Sequence, residues 1–136
     1  MNLELTTKQF RRLLDLVYIG NWILNSTRGD DRISDYDEVE SVLFTAARSD
    51  GMELLSERFG KDYVPSRAFA EGGIHEAIMD YEDTVFFEIL AEELARRDIQ
   101  IEGAPEDDLD ELNSRILDYI AEFELNGTDN IVVENK

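Results

Sequence analysis

The stretch of sequence that decides the fold is residues 74–97, IHEAIMDYEDTVFFEILAEELARR. Apolar side chains recur in it at helical spacing along two neighbouring stripes, one formed by Ile74, Ile78, Tyr81, Val85 and Ile89, the other by Phe86, Leu90 and Leu94. Two stripes predict a helix with two contact faces, one of the two helices around which a bundle is built. Arg96 and Arg97 lie in its predicted last turn, where cations interact favourably with the helix dipole.

Helical patterns also fill most of the remaining chain. Thr6 and Gln9 form a capping-box pair, which predicts a first helix over residues 7–26. The second half of that helix is apolar nearly all round, so we expect it to be the central helix of the domain or to face a partner subunit. Later helices are predicted at residues 36–47, 52–59 and 109–126, with Ser34 or Asp35 capping the first of these and Asp107 or Asp108 the last. Residues 61–70, around Pro65, are expected to form an ordered loop.

The predicted fold class is therefore mainly α, a compact bundle of about five helices. Three short β-prone segments, residues 2–5, 98–102 and 131–134, allow a small two- or three-stranded edge sheet. The length of 136 residues fits one domain, and no linker-like stretch separates two cores. Residues 1–136 are accordingly expected to form a single helical domain.

The composition describes a folded protein of a reducing compartment. Hydrophobic residues make up 43% of the chain, which places it outside the disordered class. The absence of cysteine excludes disulfides and thiolate chemistry. The first residues contain no apolar signal core, and the longest uncharged run, residues 16–27, is shorter than the ~20 apolar residues of a membrane span. A cytoplasmic protein is the expectation.

The charge balance is the most unusual property of the sequence. There are 32 acidic and 13 basic residues, which give a formal net charge of −19. Such a field repels nucleic acid and anionic membranes, and it accelerates encounter with a basic protein partner in a salt-dependent way. The alternative is that the acidity only keeps the protein soluble.

An acidic run at the start of the predicted last helix is the candidate partner surface. It contains Asp107, Asp108, Asp110 and Glu111. Negative charge at a helix N-terminus is favoured by the dipole, which accounts for the run without any partner. The sharper hypothesis is a docking patch for a basic protein.

Few residues offer catalytic chemistry. His75 is the only histidine, so no site that needs two imidazoles can form, and its place at a helix start is typical of a surface or packing residue. Acidic pairs with helical spacing, Asp37 with Glu40 and Asp80 with Asp83, resemble those by which all-α nucleotide pyrophosphohydrolases hold magnesium. The alternative function is therefore a Mg²⁺- or Mn²⁺-dependent hydrolase that uses Asp80, Asp83 and Glu88. Outside this alternative, the sequence predicts no catalytic, cofactor-binding or metal-binding residue.

Two further features bear on partners and origin. The adjacent rings of Phe86 and Phe87 point in different directions on a helix, which motivates a homodimer. The runs LVYIGNWILN, residues 16–25, and LARRD, residues 94–98, resemble a family of small acidic bacterial proteins that has no assigned function. The resemblance implies a bacterial cytoplasmic origin and supplies no ligand. The leading function is a non-catalytic interaction or regulatory protein that binds a basic partner.

Overall fold

A computed structural model describes residues 1–134. The chain divides into two compact units, Met1–Ile78 and Met79–Lys136, termed unit 1 and unit 2. The elements are α1 (Thr7–Asn25), α2 (Ser34–Ser49), β1 (Ser56–Phe59), β2 (Asp62–Pro65), α3 (Arg67–Phe69), α4 (His75–Glu102) and α5 (Leu109–Asn126). The structure is mainly α with a small two-stranded sheet, which confirms the predicted fold class. The prediction of one domain stays a prediction.

Unit 1 is built on the pairing of α1 with α2. The predicted capping box is present, since the Thr6 side chain accepts from the backbone N–H of Gln9 and the Gln9 side chain accepts from that of Thr6. The core contains Leu14 and Phe44, both fully buried, with the ring of Phe69 5.0 Å from that of Phe44. Truncation of an aromatic at such a position costs about 3 to 5 kcal/mol, so this cluster holds the unit together.

The second helix begins without the cap that the sequence suggested. Its N-cap is Ile33, which makes no side-chain cap, so the predicted caps Ser34 and Asp35 were wrong. The buried amide of Asn25 takes their place: its Oδ1 accepts from the Ile33 N–H at 2.8 Å and its Nδ2 donates to the Ile33 carbonyl at 3.0 Å. A side chain from α1 therefore satisfies the backbone at the start of α2.

A β-hairpin replaces the helix predicted at residues 52–59 and part of the predicted loop. Strands β1 and β2 pair antiparallel, with Phe59 opposite Asp62. Gly60 has φ +63°, as a two-residue hairpin turn with glycine at its first central position requires. The apolar spacing of Met52 and Leu55 is used by a 3₁₀ turn that packs on the core instead. The prediction of a helix at this place was wrong because three-residue spacing also fits that turn.

The three predicted strands do not form. Residues 2–5 and 131–134 have no regular structure, and residues 98–102 are the last part of α4. Nothing breaks α4 before Gly103, which has φ +68°, so the helix passes Arg96 and Arg97 by more than a turn. The sheet forms between other residues, because strand pairing depends on partners and not on local pattern alone.

Unit 2 consists of α4 after its first turn and α5. Ala95, Ile99 and Leu112 form its buried cluster, and Ile116 and Tyr119 pack against it. Asp108 is the N-cap of α5 and accepts from the Glu111 N–H, as predicted. In the described part of the chain, no helix has both the length and the apolar character to cross a membrane.

Candidate functional site

A groove on unit 1 is lined by both charged and apolar side chains. It lies between α2 and the hairpin, has a volume of about 880 Å³, and is called the α2 groove. Its apolar wall comes from Val42, Phe59 and Val64, and its carboxylates are those of Asp37, Glu38, Glu40 and Asp62. Arg32 lies at the same surface. The groove thus combines apolar area with an excess of negative charge.

The hairpin is fixed beside α2 by Arg48. Its guanidinium lies 4.5 Å from the centre of the Tyr63 ring and donates to the carbonyl of Ser56 at 3.3 Å. A cation over an aromatic ring is attracted by the ring's negative face. These contacts tie both strands to α2 and so fix the far wall of the groove.

The positive charge in the groove is already engaged. Arg32 donates from Nε and Nη2 to the two oxygens of Asp37, each at 2.7 Å, and the Asn21 amide donates to Asp37 at 3.0 Å. The Arg32 guanidinium, above all, lowers the pKa of Asp37. This paired arrangement keeps Asp37 ionised and leaves the other carboxylates of the groove to set its charge.

Glu40 has the most perturbed carboxyl group of the groove. Burial raises the pKa of Glu40 to about 7, against the smaller opposing effects of the Asn21 amide and the Arg32 guanidinium. Burial, followed by the charge of Glu40, also raises the pKa of Tyr18 on α1. A half-buried carboxyl group that titrates near neutral pH is typical of functional sites, although structural networks also produce it.

A chain of buried amides supports this region from α1. Asn25 donates to the side-chain oxygen of Asn21 at 2.7 Å, which leaves the Asn21 amide directed at Asp37. Neither asparagine was predicted from the sequence as a site residue. Their signal was available, because they are polar positions four apart in a helix half that is otherwise apolar.

His75 packs against α1. Its Nδ1 lies 2.9 Å from the Tyr18 hydroxyl, and its ring meets that of Trp22 edge-on at 4.6 Å. The described contacts are those of a packing residue at the start of α4. These contacts join His75 to α1, and the sequence contains no second histidine with which it could form a site.

The predicted docking patch at the start of α5 is only partly free. Asp108 caps the helix, and Glu111 accepts from Arg115 Nε at 2.7 Å. Asp107 and Asp110 are exposed. Helix stabilisation therefore accounts for two of the four side chains, and the use of the patch by a partner stays a prediction.

The carboxylates of the alternative hydrolase lie exposed along one helix. Asp80, Asp83 and Glu88 all belong to α4. Within residues 1–134, no group of three or more histidine, cysteine, aspartate or glutamate side chains is placed to hold a metal ion. The other predicted pair is altered by its neighbours, since Arg32 occupies both oxygens of Asp37 beside Glu40.

A band of exposed apolar side chains on α4, formed by Tyr81, Phe86 and Ile89 and called the α4 stripe, bears on the predicted homodimer. Tyr81 and Ile89 are more than half exposed, and Phe86 is 50% exposed with its ring 5.0 Å from that of Phe87. Exposed apolar stripes of this kind often mark contact surfaces. The homodimer itself stays a prediction.

Comparisons with known proteins were made at three levels: families, curated sequences and solved structures. No protein-family model, no curated protein and no solved structure matches this chain. Evidence for function therefore lies in the chain's own charge, in the α2 groove and in the start of α5.

Proposed function

We propose that this protein is a non-catalytic interaction or regulatory protein that binds a basic protein partner. The observation that carries the proposal is uncompensated negative charge. The ion pairs found in residues 1–134 engage only eight of the chain's 32 acidic residues. The remaining three quarters create an extended negative field, which attracts a cationic surface and steers its approach.

Two places on the chain concentrate this charge. One is the α2 groove, where carboxylates adjoin exposed apolar side chains. The other is the start of α5, where Asp107 and Asp110 are exposed. Apolar area beside charge favours the groove as a specific contact, because charge alone gives on-rate more than affinity. The resemblance to small acidic bacterial proteins and the absence of cysteine support action in the bacterial cytoplasm.

The proposal is tested by affinity capture with a matched acidic control. The full chain is immobilised and exposed to a nuclease-treated bacterial lysate, in parallel with an unrelated acidic domain of the same charge density. We expect one defined basic protein on this chain alone, retained at low salt and released as salt rises. Its purified form should then bind in solution with fixed stoichiometry. Recovery of the same proteins on both columns would leave solubility as the only role of the acidity.

A further inference from the structure

We propose that the α2 groove binds an extended segment of the basic partner, with one lysine or arginine side chain beside Glu40 and an adjacent apolar side chain against Phe59. This inference rests on the proposed function and adds the place and the chemistry of recognition. It is carried by charge complementarity together with the apolar wall of the groove, both of which belong to the described residues.

The charge of the groove selects a cation. Four carboxylates line it, those of Asp37, Glu38, Glu40 and Asp62, against the single guanidinium of Arg32. Arg32 donates to both oxygens of Asp37 and acts on Glu40 only through its charge, so one cation faces four carboxylates and an excess of negative charge remains. An incoming ammonium or guanidinium group would meet the unbalanced charge on the α2 side of the groove.

The walls select an amphipathic side chain over a bare metal ion. Phe59 is 75% exposed and Val42 66% exposed, while Val64 is half-buried. The aliphatic stem of a lysine or arginine can lie along such a surface while its charged head reaches a carboxylate. A metal ion would gain nothing from these walls.

The length of the groove limits the segment that fits. The α2 residues that line it run from Ser34 to Val42, which at helical rise corresponds to about 12 Å. An extended chain covers that distance in about four residues. The volume of about 880 Å³ is large enough for a segment of this size.

Ligand binding at Glu40 should be linked to loss of its proton. The charged and titratable groups that face Glu40 are Tyr18 from α1, Asp37 on α2 and Arg32 from the preceding loop, with the Asn21 amide beside them. Near neutral pH a part of the Glu40 population is protonated. A cation placed beside it favours the ionised form, so binding should tighten as the pH rises from 6 to 8.

The experiment titrates the ¹⁵N-labelled full chain with the peptide acetyl-Ala-Lys-Leu-Ala-amide in 150 mM salt. Amide shifts in the two-dimensional spectrum report both the place and the strength of binding. We expect the largest shifts at Glu40, Val42, Phe59 and Val64. Two control peptides separate the contacts: one replaces lysine by norleucine and the other replaces leucine by serine, and each should bind at least about fivefold more weakly.

Matched variants test which carboxylates the lysine of the peptide contacts. Glu40→Gln keeps the shape of the side chain and should weaken lysine-peptide binding about tenfold and remove its pH dependence. Glu38→Gln with Asp62→Asn removes two charges from the groove and should also weaken binding. The control with the same charge change, Asp107→Asn with Asp110→Asn, should alter affinity less than twofold. The spectrum of each free variant shows whether it is folded.

The possible failures are distinguishable. The groove proposal is overturned if the peptide shifts the amide signals at the start of α5 and only the Asp107 and Asp110 variant weakens its binding. That result would leave the proposal of a basic partner intact. The groove proposal also fails if Glu40→Gln and the double groove variant bind as the parent does. If neither the peptide nor any basic protein binds above the level of the acidic control domain, the proposed function fails as well.

Discussion

Replacement of Asn25 by alanine should strongly destabilise unit 1. Asn25 is only 1% exposed. Its amide makes three hydrogen bonds, two to the backbone of Ile33 and one to the side chain of Asn21. Because these bonds replace a side-chain cap at the start of α2, their loss affects both the loop and the second helix.

The magnitude follows from those three bonds. Each contributes about 1 kcal/mol net, and alanine recovers about 0.5 kcal/mol through its better helix propensity. The expected loss in the free energy of unfolding is therefore about 2 to 3 kcal/mol. With a urea dependence of about 1.5 kcal/mol per molar, the unfolding midpoint should fall by about 1 to 2 M.

The assay is urea unfolding followed by tryptophan fluorescence. Trp22 is the only tryptophan and lies on α1, so its emission reports unit 1 separately from unit 2. Asn2→Ala, at an exposed position before α1, is the control and should change the free energy of unfolding by less than about 0.5 kcal/mol. A loss below about 1 kcal/mol for Asn25→Ala would refute the view that this amide substitutes for a helix cap.

Three other predictions concern charge and assembly. In unit 1 the pKa of Glu40 rises from 4.5 to about 7 on folding, so the stability it contributes is present below pH 4.5 and is lost as the pH rises to about 7. Discounted for its partial exposure, the effect is about 1 to 2 kcal/mol, and urea midpoints from pH 5 to 8 should show that Glu40→Gln removes this part of the pH dependence. Magnesium or manganese binding measured by calorimetry should be weak and should follow ionic strength; saturable binding in 150 mM salt that Asp80→Ala or Asp83→Ala abolishes would instead support the hydrolase alternative. A homodimer through the α4 stripe predicts a light-scattering mass of twice 15.6 kDa at tens of micromolar, and Phe86→Glu should reduce the mass to that of one chain. A single-chain mass for the parent protein would contradict the homodimer.

Local signals predicted α1, α2, α4 and α5, whereas the helix predicted at residues 52–59 does not form. The capping box of Thr6 and Gln9 and the cap at Asp108 are determined by residues three apart in sequence, and both are present. The end of α4 was placed too early because Arg96 and Arg97 were interpreted as a last turn. Cations suit a helix end but do not stop a helix, whereas the glycine conformation at Gly103 does.

The hairpin could not be derived from local pattern. Residues 56–59 have one buried position followed by three exposed ones, without the alternation that marks a half-buried strand. It is held against α2 by contacts outside the local pattern, among them those of Arg48 with Ser56 and Tyr63. The turn signal was present at Gly60, but a glycine also ends a helix, and the apolar spacing before it favoured that interpretation.

The candidate site shows the same division between what spacing predicts and what packing decides. The sequence identified Asp37 and Glu40 as a pair with helical spacing and suggested a cation between them. Folding places the Arg32 guanidinium on Asp37 and buries Glu40, so one carboxylate is held ionised and the other is held near its titration point. Two carboxyl groups on the same helix thus have different pKa values because their neighbours differ.

This difference also separates the groove from the start of α5 as a place for a partner. At α5, Asp108 and Glu111 already stabilise the free protein, through the helix cap and through Arg115. A partner that bound these two side chains would have to replace favourable contacts. In the groove, burial of Glu40 disfavours its ionised form, and Phe59 exposes most of an aromatic ring. A cationic, partly apolar ligand would relieve both unfavourable features, so binding there adds interactions without first breaking any of those made by Glu40 or Phe59.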